Sequence, residues 1–270
     1  MHECETVKGY YDASPELEWK RLDGFRFEFE ITKRMLARCV APGARILDIG
    51  GGPGRYSLYF ASLGHEVTLV DLSGGNVEFA KAKAAECGLP IRAFQGDARD
   101  LSFLPSEAVY DCVLVMGPLY HLYREEDRKT VIRQAKKHLA PGGVLAASFI
   151  SLYGGLNYYL SECPGEIIHE RDMTYFDRIE EQKTWHGEAF TCANFTECGE
   201  IEPFFERLGF EKLTLFGQEG IAATRLYDLE RAPEEVRQFY LDLSLRLCDK
   251  NAYYAYSNHM MYVGRAKPPR

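Results

Sequence analysis

Residues 46–54 read Ile-Leu-Asp-Ile-Gly-Gly-Gly-Pro-Gly, so a short apolar run passes directly into a turn that contains four glycines. Tyr56–Leu63 follows with helical character, and Gly64 suits the left-handed cap that commonly ends a helix. Glycines allow the backbone to turn tightly and to approach a bound molecule closely. The first N–H groups of the helix lack intrahelical partners and are available at the same turn. This stretch therefore predicts a buried strand, a ligand-binding turn and a helix.

The same alternation of strand and helix extends along the chain from this turn. Helical segments such as Asn76–Glu86 and Glu125–Leu139 separate short apolar runs. The predicted strands are Arg45–Ile49, Glu66–Val70, Ile91–Gln95, Asp111–Met116, Val144–Ile150, Phe210–Phe216 and His259–Arg265. Strands connected through helices form right-handed βαβ units and a parallel sheet with helices on both faces. We therefore predict a doubly wound α/β fold.

A carboxylate, Asp71, ends the strand that follows the glycine-rich turn. In that position it can accept hydrogen bonds from both hydroxyls of a ribose. Nicotinamide and flavin dinucleotides use this geometry with a GxGxxG/A pattern, but here the third glycine of that pattern falls on Arg55 or on Ser57. Either side chain would lie where the helix and the strand must pack closely, so the dinucleotide pattern fits poorly.

The run Asp48–Gly54 instead resembles the D/E-x-G-x-G-x-G signature of class I S-adenosylmethionine-dependent methyltransferases. Three more stretches follow in the order of that family: Gly96-Asp97-Ala98 as its second acidic motif, Met116–Leu122 after the fourth strand, and Leu139–Gly143 as its L-x-P-G-G turn. With Asp71, five elements in order over roughly residues 40–150 make a specific signal. The resemblance implies a Rossmann-like, mainly parallel sheet of seven strands whose last strand runs antiparallel.

The resemblance also implies S-adenosylmethionine as the cofactor, with S-adenosylhomocysteine as its product. Asp71 would bind the ribose, Asp97 would meet the adenine amino group, and Asp48 would either contact the cofactor or order the glycine turn. The expected cofactor-binding residues are Asp48, Gly50, Gly51, Gly52, Gly54, Asp71, Leu72, Gly96, Asp97, Ala98, Met116 and Tyr11. Tyr11 belongs to a segment that relatives often fold over the cofactor; a loosely ordered terminus is the alternative.

Tyr120 and His121 are the candidate catalytic residues, because they follow the fourth strand at the edge where open α/β sheets bind ligands. His121 acts either as a general base for a hydroxyl or an amine or only as a packing and hydrogen-bonding residue. The other histidines that could join a polar acceptor site or a metal are His169, His186 and His259. Since no HxH or HxxxH spacing occurs, we predict no metal.

The domain organisation follows from where the alternation is interrupted. Residues 1–41 would form an N-terminal helical segment over the cofactor site, with one helix at Glu16–Val40, and residues 42–270 would form the methyltransferase domain. Aromatic-rich insertions at about 151–195 and 218–257 would form a lid, in which a few aromatic side chains line an acceptor pocket. The aromatic residues of this lid are Tyr153, Tyr158, Tyr159, Tyr175, Phe176, Trp185, Phe190, Tyr227, Tyr253, Tyr254 and Tyr256.

Composition excludes several classes of protein. The formal net charge of −8 disfavours nucleic acid as a partner. The polar first residues predict no signal peptide, and the apolar runs are too short to span a bilayer. The eight cysteines form no CxxC pair, which favours thiols in a reducing cytoplasm over disulfides. A three-thiol site at Cys163, Cys192 and Cys198 is the alternative, and a monomer and a homodimer are both compatible with the sequence.

The predicted reaction is methyl transfer to an oxygen, nitrogen or carbon atom of a small-molecule acceptor by in-line displacement, with proximity and alignment as the main contributions of the protein. Methyltransferases of the family that act on planar amines or amides carry Asn/Asp-Pro-Pro-Tyr after the fourth strand. Here the stretch Gly117–Tyr120 lacks the polar first residue, which argues against DNA or glutamine as the acceptor. The alternatives are a nicotinamide-dependent oxidoreductase and a non-catalytic module that binds the cofactor and regulates a partner.

Overall fold

The computed structural model describes residues 2–168 and 173–268, so His169 lies outside the described residues. Its helices are α1 (His2–Asp12), α2 (Pro15–Gly24), α3 (Arg26–Leu36), α4 (Arg55–Ser62), α5 (Gly74–Cys87), α6 (Glu125–Lys137), α7 (Leu152–Glu162), α8 (Met173–Glu181), α9 (Cys198–Arg207), α10 (Leu226–Glu230) and α11 (Glu234–Leu247). Its strands are β1 (Arg45–Ile49), β2 (Glu66–Asp71), β3 (Ile91–Gln95), β4 (Tyr110–Val115), β5 (Leu139–Ser151), β6 (Trp185–Glu188), β7 (Cys192–Thr196), β8 (Phe210–Gly217) and β9 (His259–Ala266). Short 3₁₀ turns occupy Pro118–His121, Pro164–Ile168, Gly220–Arg225 and Asn251–Tyr256.

The main sheet runs in the order β3, β2, β1, β4, β5, β9, β8. Neighbouring strands from β3 to β5 are parallel, whereas β9 is antiparallel to both β5 and β8. These pairings confirm the predicted mainly parallel sheet of seven strands with an antiparallel last strand. The strand order reverses between β1 and β4, and open α/β sheets bind ligands at the carboxyl ends of the strands at such a reversal.

The central strands are covered on both faces, which is why they appear in the sequence as continuous apolar runs. Leu47 and Ile49 of β1 are fully buried in a cluster that includes residues of α6 and α9. Ile46, which precedes Leu47, points to the other face, where it joins Phe27 and Ile31 of α3. The two clusters hold the end of β1 in a fixed position, so the glycine turn that follows begins from a rigid base.

The predicted helix Glu16–Val40 is wrong in one respect, because the structure contains two helices in this range. α2 ends at Gly24, and Phe25, with φ −118° and ψ 53°, lies outside helical geometry before α3 begins at Arg26. Gly24 offers no side chain that would favour continuing the helix. The break allows α3 to pack on the sheet through Phe27 and Ile31 while α2 contacts α5.

The segment 151–195 contains regular structure that the sequence does not signal. It forms α7, α8 and an antiparallel hairpin of β6 and β7, and β7 joins the end of β5 through the pairs Ile150–Phe195 and Ser151–Thr196. The sheet of the described residues thus has nine strands, since this hairpin adds two to the seven of the main sheet.

Two further predictions concern membranes and thiols. Over residues 2–168 and 173–268, no helix has the length and apolar character needed to cross a membrane. The cysteines whose side chains are described are free thiols, namely Cys39, Cys87, Cys112, Cys163, Cys192, Cys198 and Cys248.

Candidate functional site

One cavity opens at the carboxyl ends of β1, β2 and β4, where the strand order reverses. Its lining comes from the glycine turn, the ends of the central strands, α1, α2 and α3, and the region where β5, β8 and β9 meet. All of the predicted cofactor-binding and catalytic residues line this cavity except Gly54. Gly54 is the N-cap of α4, with φ 89°, and a Cβ there would meet the methyl group of Ala80 at 3.0 Å.

The glycine turn after β1 lies close to the turn after β4. The N–H of Gly50 donates to the carbonyl of Val70 at 2.7 Å, and Gly50 has φ 72°. A Cβ at Gly50 would stand 2.4 Å from Cδ of Pro118, closer than any real contact. Only glycine satisfies both the positive φ and this close approach. The two turns together form the narrow wall of the cavity.

Asp71 connects the glycine turn to the start of α5. Its carboxylate accepts hydrogen bonds from the N–H groups of Gly52 at 2.8 Å and Ser73 at 2.9 Å, and from Nδ2 of Asn76 at 3.2 Å. Burial raises the pKa of Asp71 even though these three donors act in the opposite direction. Each carboxylate oxygen has two lone pairs, so beside these three donors the group can accept one more hydrogen bond, such as one from a hydroxyl of a bound sugar.

Asp48 lies below the glycine turn and is almost completely buried. Its Oδ2 accepts from the hydroxyl of Ser57 at 2.7 Å, while its Oδ1 has no hydrogen-bond partner among the described residues. Burial raises the pKa of Asp48 to about 6. A buried carboxylate oxygen without a donor is unfavourable, and Asp48 lines the cavity. The site therefore suits a ligand that brings a donor such as an amine.

Asp97 is held in place by Arg99. Nε of Arg99 donates to Oδ1 of Asp97 at 3.0 Å, and Nη2 donates to Oδ2 at 2.6 Å. Burial alone would raise the pKa of Asp97, but the guanidinium outweighs burial and lowers it. Asp97 thus stays ionised beside Gly96 and Ala98 at the cavity wall, as an acceptor for an amino group.

The two predicted catalytic side chains are engaged with other groups. The carbonyl of Cys192 lies 2.9 Å from Nδ1 of His121 and can only accept, so Nδ1 carries the proton and Nε2 accepts from the hydroxyl of Tyr11 at 3.0 Å. Burial lowers the pKa of His121 to about 4. The hydroxyl of Tyr120 donates to the carbonyl of Met116 at 3.1 Å, and burial raises its pKa. This geometry does not support a base at His121, because both ring nitrogens are occupied; the ring holds Tyr11 in place.

The helices that precede β1 contribute charged side chains to the cavity. Glu28 of α3 is 4% exposed, and its Oε2 accepts from Nη1 of Arg21 in α2 at 2.8 Å. Nε of Arg21 donates to Glu18 at 2.8 Å. Burial alone would raise the pKa of Glu28, but Arg21 and His259 outweigh burial and lower it. The part of the cavity lined by α2, α3 and His259 is therefore ionic, and we call it the ionic end.

Glu219 and His259, from the C-terminal part of the chain, complete the ionic end of the cavity. Residue 217 of β8 lies opposite residue 260 of β9, which brings Glu219 next to His259. Oε1 of Glu219 lies 2.5 Å from Nδ1 of His259, and Oε2 accepts from its backbone N–H at 3.0 Å. Gln218 connects the same region to α3, since its Nε2 donates to the hydroxyl of Thr32 at 3.0 Å.

Sequence reasoning missed most of this ionic end. The sequence indicates His259 as one of three histidines that could join a polar acceptor site. It gives no comparable indication for Glu18, Arg21, Glu28 or Glu219. The available signal was weak: Glu219 follows one predicted strand and His259 begins the last one. Among the described residues, one group could bring metal-binding atoms within 4.8 Å of one another, namely Glu28, Glu219 and His259. Arg21 and the direct Glu219–His259 contact already use these atoms.

The aromatic lid is not confirmed. None of the eleven aromatic residues predicted for it lines the cavity in the described part of the chain. Tyr175 is instead 3% exposed and contacts Tyr159, Trp185 and Phe195 in a cluster of its own. Phe190 comes nearest to the cavity, with its ring centroid 5.9 Å from that of His121. Residues of α1 and α2, such as Tyr11 and Arg21, do line the cavity.

The two ends of this cavity suit two molecules. The end at the glycine turn offers Asp71 for a sugar, Asp97 for an amino group, and Asp48 for an amine, and these residues fit a nucleoside that also carries an amino acid moiety. The ionic end lies in the same cavity and offers Glu28 and His259 to a second, polar molecule. The arrangement can therefore place a nucleoside cofactor next to an acceptor.

Comparison with known proteins identifies the same part of the chain. Residues 46–143 match the family model described as a methyltransferase domain. The ubiquinone biosynthesis O-methyltransferase of Xanthomonas campestris pv. campestris (strain B100) is 33% identical over 173 residues, which cover 61% of this chain and 69% of that protein. The enzyme of the same name from Caulobacter sp. (strain K31) is 37% identical over 109 residues, or 40% of this chain and 42% of that protein.

Solved structures agree on the fold. Magnesium protoporphyrin IX methyltransferase from Synechocystis PCC 6803, with bound S-adenosylhomocysteine, superimposes with a TM-score of 0.59 at 16% identity and covers 98% of this chain and 100% of its own. The PH0226 protein of Pyrococcus horikoshii OT3 superimposes with a TM-score of 0.58 at 18% identity, over 90% of this chain and 91% of its own. At these identities the likeness is one of fold.

Proposed function

The chain belongs to the class I S-adenosylmethionine-dependent methyltransferases, and from this membership we propose that it methylates an oxygen atom of a small-molecule acceptor by in-line displacement. The cofactor is S-adenosylmethionine and the product is S-adenosylhomocysteine. The choice of oxygen is supported by relatives named O-methyltransferases. One observation carries the proposal: the nucleoside-type end and the ionic end share one cavity.

Within this proposal, each residue at the glycine turn has a role toward the cofactor. Asp71 binds the ribose, Asp97 accepts from the adenine amino group, and Asp48 faces the amino acid moiety. Gly50, Gly51 and Gly52 keep side chains away from it, while Gly54 allows α4 to start. Leu72, Gly96, Ala98 and Met116 supply the remaining walls, and Tyr11 covers the site from α1.

The chemistry that the cofactor supplies is a methyl group on a positively charged sulfur, which an acceptor atom can take in one displacement. The protein positions the acceptor and excludes water from the reacting atoms. Residues 1–41 contribute through α1, α2 and α3, which provide Tyr11, Glu18, Arg21 and Glu28 to the cavity. We propose that this N-terminal segment forms the cover of the site.

The acidic net charge of −8 supports a small molecule over nucleic acid as the acceptor. The free thiols of the described cysteines are compatible with the cytoplasmic location that we propose.

The test combines binding with turnover on the full chain. Isothermal calorimetry should detect S-adenosylhomocysteine binding. Incubation with S-adenosylmethionine and a panel of catechol, phenethylamine and acetylacetone, as oxygen, nitrogen and carbon acceptors, should form S-adenosylhomocysteine with catechol. Binding without turnover on any member would favour the non-catalytic module. Binding of NADH in place of S-adenosylhomocysteine would favour the oxidoreductase and overturn the proposal.

Two glycine variants supply a matched control for this test. Gly50→Ala places a Cβ 2.4 Å from Pro118 in a residue with φ 72°, so the turn must shift and binding should be lost. Gly64→Ala carries the same type of backbone strain, with φ 84°, but its Cβ would meet nothing within 4 Å and it lies outside the cavity. Equal binding by both variants would show that the glycine turn does not contact the cofactor.

A further inference from the structure

The ionic end of the cavity contains a histidine held by a carboxylate. Glu219 is fully buried, and its two oxygens contact Nδ1 of His259 at 2.5 Å and the backbone N–H of the same residue at 3.0 Å. Because both contacts are made by one carboxylate, the imidazole cannot rotate freely. A carboxylate that accepts from Nδ1 also sets the tautomer, so that the neutral ring has an unprotonated Nε2.

Nε2 of His259 has no hydrogen bond to any described residue, and the side chain of His259 lines the cavity. This is the reverse of His121, whose two nitrogens are both occupied by protein groups. Of the two histidines in the cavity, His259 is therefore the one that can exchange a proton with a bound molecule.

We propose that His259, oriented by Glu219, is the general base that removes the proton from the hydroxyl of the methyl acceptor. This assignment rests on the function proposed above. The acceptor O–H bond breaks and its proton passes to Nε2, the oxygen forms a bond to the methyl carbon, and the carbon–sulfur bond breaks with its electron pair left on the sulfur of S-adenosylhomocysteine. The imidazolium later returns the proton to solvent.

The charges around His259 suit this role. Burial alone would lower the pKa of His259, but Glu219, and to a smaller extent Glu28, outweigh burial and raise the pKa, while Arg21 acts in the opposite direction. Tyr120, from the turn after β4, is a further titratable neighbour, with its ring centroid 6.5 Å from that of His259. Efficient bases have a pKa near the working pH. The raised pKa makes His259 a stronger proton acceptor than His121, whose pKa is lowered by burial to about 4.

The chemistry of the base also points to the acceptor. A neutral hydroxyl is a weak nucleophile and must lose its proton as it is methylated, whereas a neutral amine can attack first and lose the proton afterwards. A dyad of this kind therefore serves an ionisable hydroxyl, such as that of a phenol. Glu219 stabilises the imidazolium that forms, in the same way that a third group orients other catalytic histidines.

The first experiment measures the proton on His259 directly, by NMR titration of ¹⁵N-histidine-labelled full-length protein with bound S-adenosylhomocysteine. We expect His259 to titrate above the usual value for histidine, and His121 in the same spectrum to titrate near pH 4. Glu219→Gln should lower the pKa of His259, because the charge and the hydrogen bond of Glu219 raise it. An unchanged pKa in this variant would overturn the pairing on which the proposal rests.

The second experiment uses catechol as the acceptor. His259→Ala should reduce kcat/KM by about 10²-fold or more, with the Kd of S-adenosylhomocysteine unchanged within about twofold. It should also abolish the rise of kcat/KM with pH that the titration of His259 produces in the wild type. His186→Ala, an exposed histidine outside the cavity, is the matched control and should retain wild-type rates.

The outcomes separate this proposal from the one it rests on. Wild-type rates in His259→Ala, or a pH profile that survives in it, would overturn the base. Loss of turnover on treatment with EDTA, restored by Mg²⁺, would also overturn it, since a metal would then use Glu28, Glu219 and His259. Protein that binds S-adenosylhomocysteine and methylates phenethylamine but not catechol would contradict the hydroxyl acceptor. Protein that does not bind S-adenosylhomocysteine would instead defeat the proposed function itself.

Discussion

The two ends of the cavity are built from different parts of the chain and by different means. The end at the glycine turn is made largely of backbone, with Gly50, Gly52 and Asp71 close together in sequence and fixed by hydrogen bonds to β2 and α5. The ionic end is made of side chains, with Glu28, Glu219 and His259 contributed by segments far apart in the chain. A backbone site depends on the fold, whereas a side-chain site can change without altering the fold.

This difference separates what the family shares from what is particular to this protein. The glycine turn belongs to the stretch that matches the methyltransferase domain, residues 46–143. Glu28, Glu219 and His259 all lie outside that stretch. We infer that the choice of acceptor resides in the ionic end. The predictions below test whether the two ends are as independent as this division implies.

The largest expected effect is on stability and concerns the ionic end. Glu28→Ala leaves the guanidinium of Arg21 without one of its two carboxylates in a mostly buried position. Breaking a buried ion pair by removing one partner costs about 3–5 kcal/mol. Since 33% of the Arg21 side chain is exposed, we expect a loss nearer ~3 kcal/mol in the free energy of unfolding by urea.

The matched control removes the other carboxylate of the same arginine. The Glu18 side chain is 28% exposed, and Glu18→Ala should cost less than ~1 kcal/mol. A larger loss of unfolding free energy in Glu18→Ala than in Glu28→Ala would contradict the expectation that the buried carboxylate, Glu28, contributes more to stability. A loss of S-adenosylhomocysteine binding in folded Glu28→Ala protein would show that the two ends are coupled.

The end at the glycine turn is well predicted from the sequence, because its geometry depends on residues that lie close together in the chain. A strand that passes into a tight turn and a helix needs glycines at fixed positions, so Gly50 and Gly54 can be recognised from spacing alone. Asp71 ends the neighbouring parallel strand, and parallel strands end at one edge. Thirteen of the fourteen predicted site residues therefore line the cavity, and Gly54 is missing only because it caps α4.

The ionic end could not be predicted in the same way. Glu219 and His259 meet because β8 and β9 pair with residue 217 opposite residue 260, a register that no local pattern specifies. The break at Phe25, which turns Arg21 and Glu28 toward each other, depends on the packing of α3. The expected aromatic lid is not confirmed, and Tyr175 and its neighbours instead form a cluster of their own with the hairpin of β6 and β7.

The next largest effect is a pH dependence of stability that comes from His121, which also lines the cavity. The pKa of His121 is about 4 in the folded protein, below its value in the unfolded chain. Above pH 6.5 neither state binds the proton; as the pH falls from there toward 4, the unfolded state binds it first and stability decreases. One pKa unit corresponds to about 1.4 kcal/mol, so His121 should contribute a loss of about 2 kcal/mol by pH 5.

The measurement is the free energy of unfolding between pH 7 and pH 5 for the wild type and His121→Gln. The difference between the two slopes of unfolding free energy against pH isolates the contribution of His121 from those of other groups. One of these is Asp48, whose raised pKa of about 6 makes the folded state more stable as the pH falls. His186→Gln, an exposed residue, should keep the wild-type slope. Equal slopes in all three proteins would mean that His121 is not held neutral, and would reopen its candidacy as a base.

The smallest effect in free energy, and the most direct test of the backbone-built end, is on cofactor affinity. Asp71→Ala removes the acceptor for Gly52 and for the ribose together, and should raise the Kd of S-adenosylhomocysteine more than tenfold, or about 1.4 kcal/mol. Asp71→Asn keeps one acceptor oxygen, so its Kd should lie between those of the wild type and Asp71→Ala. Asp100 is exposed and lies outside the cavity, so Asp100→Ala should bind S-adenosylhomocysteine as the wild type does. Calorimetry on variants with wild-type melting temperatures decides the question. If Asp71→Ala binds S-adenosylhomocysteine as the wild type does, the ribose lies elsewhere and the division of the cavity into two ends is wrong. If Asp71→Ala binds it weakly while His259→Ala binds it normally, the two ends act independently.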